Sequence, residues 1–296
     1  MRIYLIAGGY VIMFKSILLA VDTSKYSEVC TRYALEYAKL LGAKITVLNV
    51  LDRKEFAIVY PYYYPTADFP PVIDEAAYEN NELFEKQKQR ALDLLHRIED
   101  ECQKIGIKYS CELREGVVPE EILDEAHSCD LIFLGKRGAG AEYNVGLLGS
   151  NMESVVRKCD LPIIITPKSY RSLQRILVCY DGSDFATKAL RAATHLCANC
   201  PGGCVSLRLL VVQNSNEEAE RIFKRAAKYL NAYNLEEVFL HKTGDPAKGI
   251  IEAVEEEETD LVAMGAYGHS RIRELVLGSI TETVLRKLKR AVLLHH

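Results

Sequence analysis

The sequence predicts an α/β protein of two tandem doubly wound domains, each a five-stranded parallel sheet with helices on both faces. Three observations lead there. The chain has 296 residues and is 49% hydrophobic, enough for two domains of ordinary size, each with its own core. A segment near the start returns in the second half, and a repeat of this length organises the whole chain. Within each copy, short runs that are apolar at every position alternate with helical patterns, as expected for parallel strands covered on both faces.

Taken in order, residues 1–12 stand apart. Met1 to Ile12 is apolar with one Arg, as in a secretory leader, but it runs straight into an expected first strand and lacks a small-residue cleavage site that would spare that strand. It is read as an N-terminal extension, with Met13 as an alternative start of translation. A first domain spans 13–168, a polar linker 169–174 and a second domain 175–296.

The repeat opens with Lys15-Ser-Ile-Leu-Leu-Ala-Val-Asp22-Thr-Ser24, which returns as Arg175-Ile-Leu-Val-Cys-Tyr-Asp181-Gly-Ser183. Each is a buried strand that ends in Asp and turns into a helix capped by Ser. The next helix places Cys30, Tyr33, Ala34, Tyr37, Ala38 and Leu41 on one face, matched in the second copy by Ala189, Ala192, Ala193, Leu196, Cys197 and Cys200. Second strands follow at Ile45–Val50 and Leu207–Val212, third at Ile107–Leu113 and Val238–His241, fourth at Asp130–Leu134 and Asp260–Met264, and fifth at Leu161–Thr166 and Ala291–Leu294. The copies differ after the second strand. There the first has a long connection, Asp52 to Pro71, containing Pro61-Tyr-Tyr-Tyr-Pro65, and the second has almost nothing. Connections beyond about 12–15 residues are often lids or contact surfaces, so the tyrosines either pack on their own domain or serve a lid or partner.

After the fourth strand the second copy reads Gly265-Ala-Tyr-Gly268, nine residues, then Gly278-Ser279; the first reads Gly135-Lys-Arg-Gly138, ten residues, then Gly149-Ser150. Glycines let backbone approach a phosphate, and a Gly-Ser pair opening a helix offers N–H groups and a dipole to an anion. In open α/β sheets ligands sit beyond the carboxyl ends of strands where strand order reverses. The Asp and glycine turns could thus face one pocket, with the Asp suited to a ribose hydroxyl or an adenine amino group. The purely structural alternative is that Ser150 with Glu153, and Ser279 with Glu282, are capping boxes, and that Asp22 and Asp181 only shape turns.

These residues resemble the universal stress protein family, whose domains carry an Asp after the first strand and, in nucleotide-binding members, G-x2-G-x9-G-(S/T). The resemblance covers nearly all of residues 13–296. Gly265, Gly268, Gly278 and Ser279 match the motif in spacing, while Gly135, Gly138, Gly149 and Ser150 have one additional residue. It implies a Rossmann-like fold of the adenine nucleotide alpha hydrolase type, with ATP, ADP or AMP bound and magnesium admissible beside ATP. It further implies nucleoside contacts from Asp181 and Val212 in the second copy and from Asp22 and Val50 in the first, with the second site stronger. Family members usually dimerise through their last strands. The tandem therefore resembles a fused dimer, Leu161–Thr166 lying near Ala291–Leu294, and a homodimer of tandem chains is a further expectation.

Other classes are disfavoured. With 37 basic and 41 acidic residues, no basic surplus suggests nucleic acid or an anionic membrane as partner, and no run of ~20 apolar residues would span a bilayer. Nine cysteines without a credible leader point to the cytoplasm. Cys197, Cys200 and Cys204 invite a metal reading, but four ligands are the norm, and Cys197 and Cys200 replace Ala38 and Leu41 of the first copy. Core packing or a local disulfide is expected instead, and His295-His296 is given no metal role. No Walker lysine, nucleophilic triad or paired carboxylates stand out. The expected function is therefore a nucleotide-binding stress-response or regulatory protein. A slow ATPase or phosphotransferase is one alternative, and a partner-binding protein with degenerate pockets, using Tyr62 to Tyr64, is another.

Overall fold

The computed structural model describes residues 3–6, 9–12, 14–52, 75–138, 148–199, 205–233, 235, 238–266 and 278–296, without the side chains of 3–12 and 75–81. Met13, Tyr62 to Tyr64, Cys200, Cys204 and Gly268 lie outside the described residues. In the first copy the elements are β3 (Ser16–Val21), α1 (Lys25–Leu41), β4 (Lys44–Asp52), α2 (Glu75–Ile105), β5 (Tyr109–Gly116), α3 (Val118–Ala126), β6 (Leu131–Gly135), α4 (Ser150–Lys158) and β7 (Ile163–Thr166). The second copy repeats the series as β8 (Arg175–Cys179), α5 (Asp184–Ala198), β9 (Ser206–Val212), α6 (Asn216–Leu230), β10 (Val238–Lys242), α7 (Pro246–Glu256), β11 (Leu261–Gly265), α8 (Ser279–Lys287) and β12 (Ala291–His295). Ahead of them, β1 (Ile3–Ile6) and β2 (Gly9–Ile12) pair as an antiparallel hairpin.

Continuous apolar runs become strands because both faces are covered. Ile17 and Leu19 of β3 join one core cluster with residues of α1, α2, α5 and α6, while Leu18 joins the other with residues of α3, α4, α7 and α8. Each cluster passes through both copies, so burial on both sides of the sheet is shared along the molecule. Of the expected helix-face residues, Cys30, Tyr33, Ala34, Tyr37 and Ala38 are buried, as are Ala189, Ala192, Ala193, Leu196 and Cys197, and Leu41 packs against the cluster. Cys197 donates its thiol to the Val205 carbonyl at 2.8 Å within that core.

The other ten strands form one sheet in the order β10-β9-β8-β11-β12-β7-β6-β3-β4-β5. Neighbours are parallel except at the junction, where β12 and β7 run antiparallel with Val292 opposite Ile165, Leu293 opposite Ile164 and Leu294 opposite Ile163. Several expected strand limits shift by one to three residues, two of them for a visible reason. Ile107 does not open a strand but closes α2, its N–H donating to the Cys102 carbonyl at 3.0 Å after Gly106 turns at φ 72°. Leu161 falls before β7 because Pro162, lacking an N–H, supplies only its carbonyl, which accepts from Ile132 at 3.1 Å. Among the described residues no helix is long and apolar enough to cross a membrane, and no three His, Cys, Asp or Glu side chains are grouped to hold a metal.

Candidate functional site

Strand order reverses at β3, which hydrogen-bonds β4 on one side and β6 on the other. Beyond the carboxyl ends of these strands lies a cavity of about 700 Å3, lined by Asp22, Val50, Gly135, Gly138, Gly149 and Ser150. All six residues singled out in the first copy therefore meet around one space.

Asp22 is held by the helix that follows it. Its Oδ1 accepts the Ser24 N–H at 2.9 Å and the Ser27 hydroxyl at 2.6 Å, and the Asp22 N–H donates to Ser27 Oγ at 2.8 Å. The other oxygen lies against the glycine turn: a Cβ placed on Gly138 would stand 2.7 Å from Asp22 Oδ2. The two turns therefore touch, and a side chain at Gly138 would have to displace the Asp22 carboxylate. At Gly149 a Cβ would stand 3.2 Å from Arg137 Cα and 3.3 Å from the Lys136 carbonyl, which accepts the Gly149 N–H at 3.2 Å. This bond ties the start of α4 to the first glycine turn at the cavity.

The capping-box alternative does not describe these helices. Gly149 and Gly278 occupy the N-cap positions of α4 and α8 without a side-chain cap bond, and Ser150 and Ser279 are the first helical residues. The N-terminal turn of α4 thus presents backbone N–H groups and a serine at the cavity, an arrangement suited to an anion.

The residues between the first two glycines take different directions. Lys136 leaves the cavity: its ammonium donates to the carbonyls of Arg286 and Leu288, both at 3.2 Å, where α8 of the second copy ends. Burial, helped by the neighbouring Arg137 charge, lowers this amine to about 8. Arg137 lines the cavity, and its buried Nε has no hydrogen-bond acceptor among the described residues.

Sequence reasoning passed over several lining residues. Asn49, whose Nδ2 donates to the Val21 carbonyl at 2.9 Å, was detectable as a buried amide in an apolar strand. Ser27 lies one turn beyond the capping serine, at a position consistent with a hydroxyl facing back on Asp22. Gln87 and Arg90 of α2 also line the cavity; they follow a long connection, and no local pattern marks them.

In the second copy, Asp181 follows β8, which pairs with β11, and its Oδ1 accepts the Ser183 N–H at 2.9 Å. Gly265 ends β11 against α5: its Cβ would stand 2.9 Å from the Ala186 nitrogen and from Phe185 Cβ, as Gly135 meets Tyr26 at 3.0 Å. The Thr281 hydroxyl of α8 donates to the Ala266 carbonyl at 3.0 Å, tying Gly278 and Ser279 to the same strand end. Val212 ends β9, with its side chain turned toward α7, where a Cβ on Gly249 would meet it at 3.2 Å.

With the fold and this edge established, comparison with known proteins is specific. A sequence model of the universal stress protein family matches residues 13–167 and again 172–296. The universal stress protein Slr1230 of Synechocystis is 32% identical over 290 residues, covering 94% of this chain and 99% of its own. A universal stress protein of Mycolicibacterium smegmatis is 23% identical over 296 residues, covering 94% and 95%. The crystal structure of a universal stress protein from Archaeoglobus fulgidus shares the fold, with TM-score 0.69 at 23% identity over 95% of this chain and 97% of that one. Matched in both repeats and along nearly its whole length, the chain belongs to the universal stress protein family as a tandem of two copies.

Proposed function

We propose that this chain binds an adenine nucleotide, ATP, ADP or AMP, and acts as a cytoplasmic stress-response or regulatory protein whose state depends on that ligand. The observation that carries the reading is the meeting of the Asp22 carboxylate, the Gly138 turn and the start of α4 around one cavity. Ribose or base would bond Asp22 and the backbone near Val50, and phosphates would lie on Gly138, Gly149 and Ser150, where backbone N–H groups and the α4 dipole favour negative charge. Asp181, Val212, Gly265, Gly268, Gly278 and Ser279 would form the second site, which we take as the stronger because its glycine spacing matches the family motif. Magnesium would enter with ATP, coordinated mainly by its phosphates.

Binding, rather than turnover, fits the lining. Asp22, the carboxylate nearest the glycine turn, is engaged by a hydroxyl and a backbone N–H, an arrangement suited to fixing a ligand rather than activating water. Because β7 and β12 pair within the chain, a homodimer of tandem chains would use another surface.

The test is to denature freshly purified protein and to identify and count the released nucleotide by chromatography and mass spectrometry. Two adenine nucleotides per chain are expected if both sites are filled, and one if the stronger site alone retains its ligand. ATP or AMP at about 100 times its dissociation constant should add about 2.7 kcal/mol of stability. No released nucleotide, together with no thermal shift on adding either, would overturn the reading.

A further inference from the structure

The two glycine turns recur in sequence but differ in charge. Arg137 sits between Gly135 and Gly138; the same place in the second copy is Tyr267, outside the described residues. A similar exchange occurs on the neighbouring helix. Buried Ala91, Leu94 and Ile98 of α2 correspond to buried Ala219, Ile222 and Ala226 of α6, which sets Arg90 opposite Glu218 in the alignment. Both arginines line the first cavity.

Arg137 is at the phosphate end. Its Cα lies where a Cβ on Gly149 would approach within 3.2 Å, and its Nε is buried without an acceptor among the described residues. Lys136, the other cation of the turn, is held by the Arg286 and Leu288 carbonyls and points to the second copy. Arg137 is thus the turn's cation that lines the ligand space. A guanidinium bonds phosphate oxygens through a fork of N–H donors, and charge-assisted bonds of this type are about twice as strong as neutral ones.

Resting on the nucleotide reading above, we infer that Arg137 makes the first cavity selective for phosphate number, discriminating ATP from AMP, and that the second site lacks this discrimination. AMP places its single phosphate on the backbone cradle of Gly138, Gly149 and Ser150, whose residues recur in the second copy's sequence as Gly268, Gly278 and Ser279. The additional phosphates of ATP reach the guanidinium. Arg90, exposed on α2, adds positive potential at the same opening.

The experiment uses the full chain carrying Gly268→Val, which removes a glycine of the second motif to disable that site, and titrates ATP and AMP separately by calorimetry. Arg137→Gln in that background should weaken ATP by about tenfold or more and change AMP by less than about twofold. Arg137→Lys, which keeps charge without the fork, should fall between. Equal losses for ATP and AMP, or no loss for either, would overturn the assignment to Arg137 while leaving nucleotide binding intact. No binding of any nucleotide by either the parent chain or its Gly268→Val form would instead overturn the nucleotide reading itself. Melting without ligand checks folding: if Arg137→Gln lowers the midpoint, the ATP-to-AMP ratio of Arg137→Lys decides, and a ratio equal to that of the parent chain rejects a role for the fork.

Discussion

At the scale of single residues, the site depends on close contacts that a substitution would have to displace. Asp22 is fixed from one side by Ser24 and Ser27 and meets Gly138 on the other. Valine at Gly138 would put a branched side chain into the carboxylate, so either Asp22 rotates away from its partners or the turn withdraws. Because Gly138 is exposed, the fold has little packing to lose there. Gly138→Val should therefore abolish nucleotide binding at the first site while moving the unligated melting midpoint by only a few degrees, and unchanged affinity in calorimetry would contradict the geometry. The second copy carries Ala186 at the position of Ser27, which has no hydroxyl to offer Asp181.

At the scale of elements, helix starts separate structural serines from functional ones. Ser24 caps α1 by accepting the Ser27 N–H, whereas Ser150 stands inside α4 after a glycine cap. Ser24→Ala should cost about 1 kcal/mol of stability, and Ser150→Ala should stay within about 0.5 kcal/mol, both read by urea unfolding without ligand; equal costs would restore capping as the role of Ser150. The sequence pattern Ser150-x-x-Glu153 suggested a capping box because local spacing is all a sequence displays. The tertiary reason is visible only in the fold: the residue before Ser150 packs on Arg137 Cα, where even a Cβ is crowded, so the cap position favours glycine over a larger capping residue. The same distinction separates what was legible from what was not. Continuous apolar runs such as Ile17 to Leu19 identified the strands, because burial on both faces is written at each position. The limits at Ile107 and Leu161 depended on a helix-closing bond and a missing N–H. Arg90 joined the cavity through the placement of α2, which no local motif records.

At the scale of the whole molecule, the repeat is symmetrical in topology and unequal in chemistry. That β7 and β12 come together followed from the resemblance to the family, not from any pattern within those strands, and their antiparallel register emerges only in the sheet. Lys136 crosses the same junction to close the end of α8, while the second copy has Ala266 in its place. The copies also differ in their buried histidines. The second copy buries His195, between the rings of Phe14 and Tyr233, and His295 at the end of β12. Burial lowers both imidazoles from the ordinary 6.5 to about 4. Between those values the unfolded chain binds more protons than the folded one, so acid favours unfolding there. The resulting loss is at most about 1.4 kcal/mol per pH unit for each histidine. The position of His195 is occupied by Glu36 in the first copy, where it accepts from Tyr170 and Ser172. Urea midpoints should accordingly fall as pH drops from 6.5 toward 4 and be insensitive to these two groups above about pH 7.5. His195→Phe, which keeps a ring between Phe14 and Tyr233 but cannot take a proton, should have a shallower acid slope than the parent chain. An identical slope would mean that His195 does not carry the linkage and that the acid response comes from other groups.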